Sequence, residues 1–431
     1  MISHARRARD STFLIVCIMG LFAILSSTMS KSPVLKPFSL SLGTPTDLTG
    51  FVAAASTIPG VLISLPAASL SDIYGRKKFL LIAGLVFASA PFLYLLLTAW
   101  WQLILVRFYH GFATAIFVPV AEASIAEMFP TKRGERISLF SSTTNIGRLI
   151  APTLGGYILL ATADNFHVLY FAVAVAGLTA FITGLLFLAE KNQPIAIQQR
   201  ERSREVYRKM FDGWRTVALS RGVLAVGFIQ ACQYYAYGAA EFYLAGYLPE
   251  IAHLNIFLTG FIIMSIIAVS IFARPYMGRV SDKIGRRIPI VLGCIVSGLP
   301  LLVVPFVTDF RILLLLVLVY GFGFATVTAS TPALISELVP KELVGTSMGF
   351  LDMIMDVGQT LGPIITGFIL ATNLQYFGVF TSLTLLLLFS STIFVVFGAA
   401  RADHNSNDNQ KKSLEVLALK VHISKLWRHK S

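Results

Sequence analysis

The chain carries twelve apolar runs of about 20 residues each, and these runs limit the possible folds more than any other feature, because a helix of that length spans the hydrocarbon core of a bilayer. Hydrophobic residues make up 55% of the chain and charged residues only 13%, whereas soluble proteins carry roughly 25% charged residues. We therefore expect an all-α membrane protein with twelve transmembrane helices. The predicted spans are residues 12–32, 48–70, 79–98, 101–128, 137–160, 166–188, 222–248, 255–277, 289–307, 311–335, 345–370 and 376–398.

One long polar connector divides these spans into six and six. It covers residues 190–221, whereas most of the other connectors are short. The expected organisation is an N-terminal six-helix bundle (1–189), a cytoplasmic middle loop (190–221), a C-terminal six-helix bundle (222–398) and a cytoplasmic basic tail (399–431).

The net charge of +13 reports orientation rather than a nucleic-acid partner. When the connectors are assigned to alternating sides, 30 of the 35 lysines and arginines fall on one side. Lys31, Lys36 and Arg311 fall on the other side, and Arg107 and Arg148 lie within spans. Basic residues concentrate in cytoplasmic loops. We expect a multi-pass protein of the cytoplasmic (inner) membrane with both termini in the cytoplasm, and no nucleic acid as partner.

The two halves share a repeated pattern. Ser-Asp-Ile-Tyr-Gly-Arg-Lys at 71–77 recurs as Ser-Asp-Lys-Ile-Gly-Arg-Arg at 281–287, 210 residues later. A Glu-x-x-Pro pattern at 127–130 recurs at 337–340 with the same offset. Since each half has an even number of spans, the two repeats have the same orientation. This predicts two pseudo-symmetric bundles with a shared cavity near the middle of the membrane.

The Asp-x-x-Gly-Arg-[Lys/Arg] pattern resembles the signature of the major facilitator superfamily, and the resemblance covers residues 12–398. It implies the major facilitator fold, alternating access, and a conformational latch built from charged residues and the glycine of each tight turn. A basic turn that only sets the topology is the alternative. The implied latch residues are Asp72, Gly75, Arg76 and Glu127, with Asp282, Gly285, Arg286 and Glu337 as the second set.

The fifth span resembles the Gly-x-x-x-Gly-Pro-x-x-Gly-Gly motif of drug:proton antiporters within that superfamily. The matching residues are Gly147, Ala151, Pro152, Gly155 and Gly156, with Ala151 in place of the second glycine. The resemblance implies proton-coupled efflux of small amphipathic compounds. Close packing of one helix on another is the alternative, because small residues let helices approach.

Ionisable residues inside membrane spans are costly and therefore candidates for function. We expect proton coupling at Asp356, Glu241 and Asp352, with a structural pair as the alternative for Asp352. Asp352 and Asp356 lie one helical turn apart, so their charges repel. Arg148 and Asn145 of the fifth span are the expected partners that relieve this repulsion.

A polar and aromatic stripe on the seventh span predicts one wall of a substrate site. Its members are spaced so that they share a helix face and end at Glu241. The candidate substrate-binding residues are Arg107, His110, Asn145, Arg148, Gln230, Gln233, Tyr234, Tyr237 and Gln359.

Other functional classes lack support in the sequence. There is no Gly-x-x-x-x-Gly-Lys-[Ser/Thr] loop for ATP and no clustered set of metal ligands. We expect no enzyme activity, no metal and no cofactor beyond a proton gradient, and a monomer that acts on protons and a small-molecule substrate in a lipid bilayer. A proton-coupled symporter or uniporter of a nutrient such as a sugar or organic acid is the first alternative. A polytopic membrane enzyme or sensor is the second.

Overall fold

The computed structural model describes residues 2–189, 220–340 and 343–399, and within these ranges the chain is helical without a strand. The predicted tail beyond residue 399 and residues 190–219 of the predicted middle loop lie outside the described residues. The twelve long helices are α1 (Ile2–Met29), α2 (Ile58–Tyr74), α3 (Arg76–Tyr94), α4 (Trp100–Met128), α5 (Arg133–Ala161), α6 (Phe166–Ala189), α7 (Arg221–Glu250), α8 (Ile256–Ile284), α9 (Arg287–Val303), α10 (Phe310–Leu338), α11 (Val344–Leu370) and α12 (Gln375–Ala399).

Ten stretches of the described chain are long and apolar enough to cross a membrane, and this confirms the expected membrane fold. The helices α5 and α7 are not among the ten. Both carry polar side chains in mid-helix, including Asn145 and Arg148 in α5 and Gln230 and Glu241 in α7. Polar side chains on a spanning helix usually face protein or a water-filled cavity. We therefore expect the polar faces of these two helices to be turned toward the interior of the assembly.

The second predicted span is not one continuous helix. The chain forms a 3-10 turn at Thr46–Leu48, a short helix at Thr49–Ala54, a turn at 55–57 and then α2. Pro59 explains the interruption, because it cannot donate a hydrogen bond to the carbonyl of Ala55 in the preceding turn. The prediction of one helix over 48–70 was wrong at this point.

The two halves meet along two equivalent seams. At the first seam, Gly260 of α8 packs on the carbonyl of Pro152 in α5, so closely that a Cβ at 260 would collide with it. At the second seam, Gly50 packs in the same way on the carbonyl of Pro363 in α11. Gly50 and Gly260 are 210 residues apart. The same pair of contacts therefore occurs twice, as the sequence repeat predicts.

The buried apolar residues show which end of the assembly is closed. We call the end that contains Ile2 and Ala399 the terminal end, and the other end the distal end. One buried cluster joins both halves at the distal end, with Leu35 and Val52 in the same cluster as Tyr247. At the terminal end each half has a separate cluster of its own. The halves are thus closed against each other at the distal end, and the cavity between them opens toward the terminal end.

Candidate functional site

Asp356 lies on α11 at the seam between the halves. Its carboxylate points at Gly60 of α2, where a Cβ would collide with it. The hydroxyl of Thr360 donates to the backbone carbonyl of Asp356 at 2.7 Å and also lies 2.6 Å from the hydroxyl of Thr57. The break in the second span puts Thr57 in this position, so the hydroxyls of Thr57 and Thr360 meet across the seam, one helical turn from Asp356.

Asp352 lies one turn further toward the terminal end, and Glu122 of α4 is close enough for the two charges to interact. Among the described residues, none of Glu122, Asp352 and Asp356 forms an ion pair. The expected partner Arg148 is exposed on α5 and is likewise unpaired within the described chain. The predicted pairing of Arg148 with the acids of α11 is therefore not formed, because α5 packs on α8, whereas α11 packs on α2 and the helix Thr49–Ala54.

An aromatic wall lies on the C-terminal half of the cavity. Tyr237 stacks on Phe324 of α10 with ring centroids 4.8 Å apart, and Tyr234 meets the same ring edge-on at 5.3 Å. The guanidinium of Arg274 lies over Phe324 at 5.8 Å. Arg274 was counted with the loop charges in the sequence, but it lies inside α8. The predicted span over residues 255–277 already contains it, and this was the signal that could have identified it.

The two glutamines of the seventh span point away from this wall. Gln233 is fully buried and donates to Ser297 (3.2 Å) and Cys294 (3.4 Å) of α9. Gln230 is 4% exposed and accepts from the hydroxyl of Thr331 at 2.7 Å. Both therefore hold the C-terminal bundle together in this conformation. Of the remaining candidates, Gln359 packs on α7 against Gly238, and Asn145 is partly exposed on α5.

Arg107 and His110 are buried within the N-terminal half. Arg107 is 2% exposed and donates to the hydroxyl of Ser56 at 2.5 Å, while its Nε has no partner. His110 lies 3.3 Å from the hydroxyl of Tyr94 through Nδ1, and its Nε2 is unpaired. Neither side chain reaches the cavity in this conformation. Arg107 instead ties α4 to the turn that interrupts the second span.

Glu241 is the exception among the acids, because it has a basic partner. The carboxylate is 6% exposed and lies 2.8 Å from the ammonium of Lys31. Lys31 follows α1 and belongs to the N-terminal half, whereas Glu241 belongs to α7. Sequence reasoning missed this contact because it treated Lys31 only as a loop charge at the membrane surface.

The turns at the terminal end bring the two latch sets together in the same way. Arg76 pairs with Glu127 at 2.8 Å, and Arg286 pairs with Glu337 at 2.8 Å and also with Asp282. The hydrogen bond with Glu337 is the main cause that raises the pKa of Arg286, which lies between α8 and α9 outside the membrane spans.

Both turns depend on a glycine in the left-handed region. Gly75 has φ +101° and Gly285 has φ +88°, which other residues rarely adopt. The described pairs lie within one half each and do not cross the seam. Asp72 lies in α2, but its side chain is outside the described part of the chain.

The small residues of the fifth span pack on two neighbours. Gly147 approaches the carbonyl of Leu21 in α1, and Gly155 faces Met29 of the same helix. Gly156 faces the carbonyl of Ile256 in α8, while Ala151 is fully buried. This helix therefore joins the N-terminal bundle on one side and forms the seam with the C-terminal bundle, through Pro152, on the other.

Comparison with known proteins gives a consistent picture. The family model of the Major Facilitator Superfamily matches residues 12–275 and 226–431. The chain is similar to the multi-drug resistance efflux pump PmrA of Streptococcus pneumoniae serotype 4, with 26% identity over 86% of this chain and 92% of the relative. It is also similar to the PmrA homolog of Lactococcus lactis subsp. lactis, with 25% identity over 82% and 86% of the two chains.

A solved structure shares the fold. It is the bacterial homolog of the human lysosomal transporter Spinster, in an inward-facing and unoccupied conformation, with a TM-score of 0.73 and 12% identity. The match covers 90% of this chain and 95% of that one.

Proposed function

Because the chain belongs to the Major Facilitator Superfamily, we propose that this transporter exports small amphipathic compounds in exchange for protons. One observation carries the proposal. Asp352 and Asp356 lie on the cavity side of α11, and no base pairs with them among the described residues. Carboxyls without a counter-charge inside a membrane protein are suited to bind and release protons. The similarity to the two efflux pumps favours export and an amphipathic substrate.

Alternating access follows from the two seams. The halves close on each other at the distal end. Two contacts must separate when this end opens: α5 with α8, and the Thr49–Ala54 helix with α11. Rocking of one half against the other around the cavity exposes the carboxyls of α11 first to one side and then to the other. The aromatic wall of Tyr234, Tyr237 and Phe324 supplies an apolar surface for the substrate.

The distribution of basic residues supports the orientation. The terminal end carries Arg76, Lys77, Lys132, Arg133 and Arg286, so we place it in the cytoplasm of a cell whose inner membrane holds the protein. In this proposal the structure is a cytoplasm-open state. In this proposal the transporter works as a monomer and needs no cofactor, because the proton gradient supplies the driving force.

Removal of two carboxyls tests the proposal. Asp356→Asn combined with Glu241→Gln is expected to abolish export driven by an imposed pH gradient, because no proton can then bind at either position. The measurement is transport of candidate amphipathic compounds by proteoliposomes with and without the gradient. Asp164→Asn is the matched control, since Asp164 is an exposed acid in the distal loop after α5. Export by the double variant at the wild-type rate would refute proton coupling at these carboxyls, and proton-linked uptake would show a symporter instead.

The latch at the terminal end gives a second prediction. Glu337→Gln is expected to reduce transport. Arg286, in the turn between α8 and α9, then loses its ion pair with α10. The pair is partly exposed, so the free energy of unfolding should fall by less than about 1 kcal/mol. Glu135→Gln is the control, because Glu135 forms an exposed pair with Lys132 at the same end (3.2 Å). Equal transport by the two variants would remove the latch from the mechanism.

A further inference from the structure

Two lysines after α1 cross the distal seam. Lys31 contacts Glu241 at 2.8 Å, and Lys36 lies 3.6 Å from the carboxylate of Glu250, the last residue of α7. Lys31 lies in the turn after α1, and Lys36 lies in the short helix Leu35–Ser41 that follows it. Lysines are usually solvated, yet Lys31 is only 20% exposed and Lys36 only 2% exposed. The N-terminal half therefore contacts α7 of the C-terminal half through the ammonium groups of two largely buried lysines.

The ammonium of Lys36 is surrounded by side chains of α7 and α12. Its ammonium donates to the hydroxyl of Tyr376 at 2.9 Å, and that hydroxyl donates to Glu250 at 2.7 Å. The rings of Tyr243 and Tyr376 lie 5.5 and 5.2 Å from the ammonium, within the range of cation–π attraction. Gly246 leaves the space, since a Cβ there would lie 2.6 Å from the ammonium. Burial lowers the pKa of Lys36, and the Glu250 carboxylate opposes this shift.

The position of the two lysines follows from the repeat. Lys31 and Glu241 are separated by 210 residues, which is the offset between the halves, and so are Lys36 and Gly246. Residues that are equivalent in two pseudo-symmetric halves can touch only near the axis that relates the halves. The Lys31–Glu241 pair therefore lies on this axis at the distal end, where its two members belong to opposite halves and must separate when that end opens.

We propose that Lys31 is a tethered counter-ion that competes with the transported proton for Glu241, and that their pair locks the unloaded transporter with its distal end closed. The inference rests on the proposed function, because it requires a proton at Glu241. The contacts of Lys36 hold the segment between α1 and α2 in place, so that Lys31 returns to Glu241 each time the distal end closes.

The surroundings of Glu241 leave Lys31 as its direct basic partner within the described chain. Tyr237, one turn away on α7, and Tyr320 of α10 also feel its charge. The hydroxyl of Tyr320 is buried and has no hydrogen-bond partner. Arg148 of α5 and Arg274 of α8 act on Tyr237 from further along the cavity. Once Lys31 leaves, the phenols of Tyr237 and Tyr320 are the described groups whose interaction with the carboxylate is known.

This arrangement makes the distal seam respond to the charge of Glu241. While Glu241 is ionised, separation of the halves breaks an ion pair whose members are 20% and 6% exposed, and the attraction that closure keeps is stronger in such a site than at an exposed surface. When a proton neutralises Glu241, the ion pair no longer exists and closure loses that contribution. The loaded transporter can then change conformation, whereas the unloaded one stays closed. An exchanger needs this difference, because movement of the unloaded form would dissipate the gradient.

Distances across the distal end test the lock directly. The full chain in lipid nanodiscs would carry spin labels at His167→Cys and Thr308→Cys, which are exposed distal positions on the two halves. The native cysteines Cys17, Cys232 and Cys294 are buried. In the parent, we expect a short distance at about pH 8 and an added longer one at about pH 5.5, because the proposed proton on Glu241 removes the ion pair. Lys31→Gln is expected to show the longer distance at both values.

Three further variants separate charge from structure. Lys31→Arg keeps the ion pair and should retain the dependence on pH. Lys31→Glu combined with Glu241→Lys exchanges two symmetry-equivalent positions and should restore the closed distal end at high pH. Arg311→Gln is the matched control, because Arg311 is an exposed base at the same end without an ion pair in the described chain. A distance distribution of Lys31→Gln that equals the parent's at both pH values would overturn the inference.

A leak measurement distinguishes this inference from the proposed function. Proteoliposomes with Lys31→Gln and no substrate should dissipate an imposed pH gradient several-fold faster than those with the parent, because the unloaded form now changes conformation. A leak equal to the parent's overturns the lock. Failure of the proposed function has a different signature, namely a parent protein that exports no compound in response to a pH gradient.

Discussion

Leucine in place of Gly358 is expected to prevent the C-terminal half from reaching its folded state. Gly358 of α11 lies against the backbone of Ala231 in α7, where an added Cβ would collide with the Ala231 carbonyl oxygen. Backbone atoms in a helix cannot turn aside as a flexible side chain can. A side chain forced into such a contact costs about 3 kcal/mol or more. The contact brings α7 and α11 together, and these helices hold Glu241 and Asp356, so the same substitution also disturbs the proposed proton site.

The measurement is the yield of monodisperse protein and its unfolding temperature in detergent. Leucine favours a helix over glycine by about 1 kcal/mol, so a loss of stability cannot come from helix propensity. Gly278→Leu is the matched control, because nothing lies within 4 Å of a Cβ at that position on α8. If Gly358→Leu were as stable as Gly278→Leu, the close approach of α7 and α11 would be disproved.

The same substitution at Gly260 is expected to abolish transport while both halves stay folded. Gly260 meets Pro152 across the seam, so leucine there acts between the halves rather than within one. A side chain wedged between α5 and α8 keeps the distal end from closing, and the transporter is held with that end open. The seam is close-packed and has no room for the leucine side chain. Closing the distal end would therefore cost more free energy than the distal contacts supply.

Two readouts check this expectation. The distance between labels at positions 167 and 308 should lengthen at every pH, and export should stop, with an unfolding temperature close to that of the parent. Gly134→Leu is the control on the partner helix α5, because a Cβ there meets nothing within 4 Å. An unchanged distance in Gly260→Leu would show that the α5–α8 seam does not control closure.

The sequence was sufficient to predict much of the fold, because length and apolarity report how a helix meets lipid. Eleven of the twelve spans form single long helices near the expected positions, and the second is interrupted at 55–57. Pro59 was visible in the sequence, but a proline in a membrane helix is compatible with a kink as well as a break. In the structure the interrupted segment packs on α4, where the carbonyl of Ser56 lies against Gly111, and the sequence does not show this contact between helices.

The candidate site was less accessible from the sequence. The rings of Tyr234 and Tyr237 in the predicted stripe on α7 lie edge to face, yet Gln230 of the same stripe turns to Thr331 of α10. A helical periodicity gives the relative directions of side chains on one helix, but it does not tell which neighbour each direction meets. His110 shows the same limit, since it packs against Phe87 and Tyr94 within the N-terminal half.

Sequence by itself determined the number of spans, the repeat at 210 residues and the glycine turns at Gly75 and Gly285, because each is set by local chemistry along one segment. Only the tertiary structure decided that the distal end is closed and that Lys31 meets Glu241. Such a contact joins two halves that move against each other, and its formation depends on how they are placed in one conformation. No periodicity along a single helix encodes that placement.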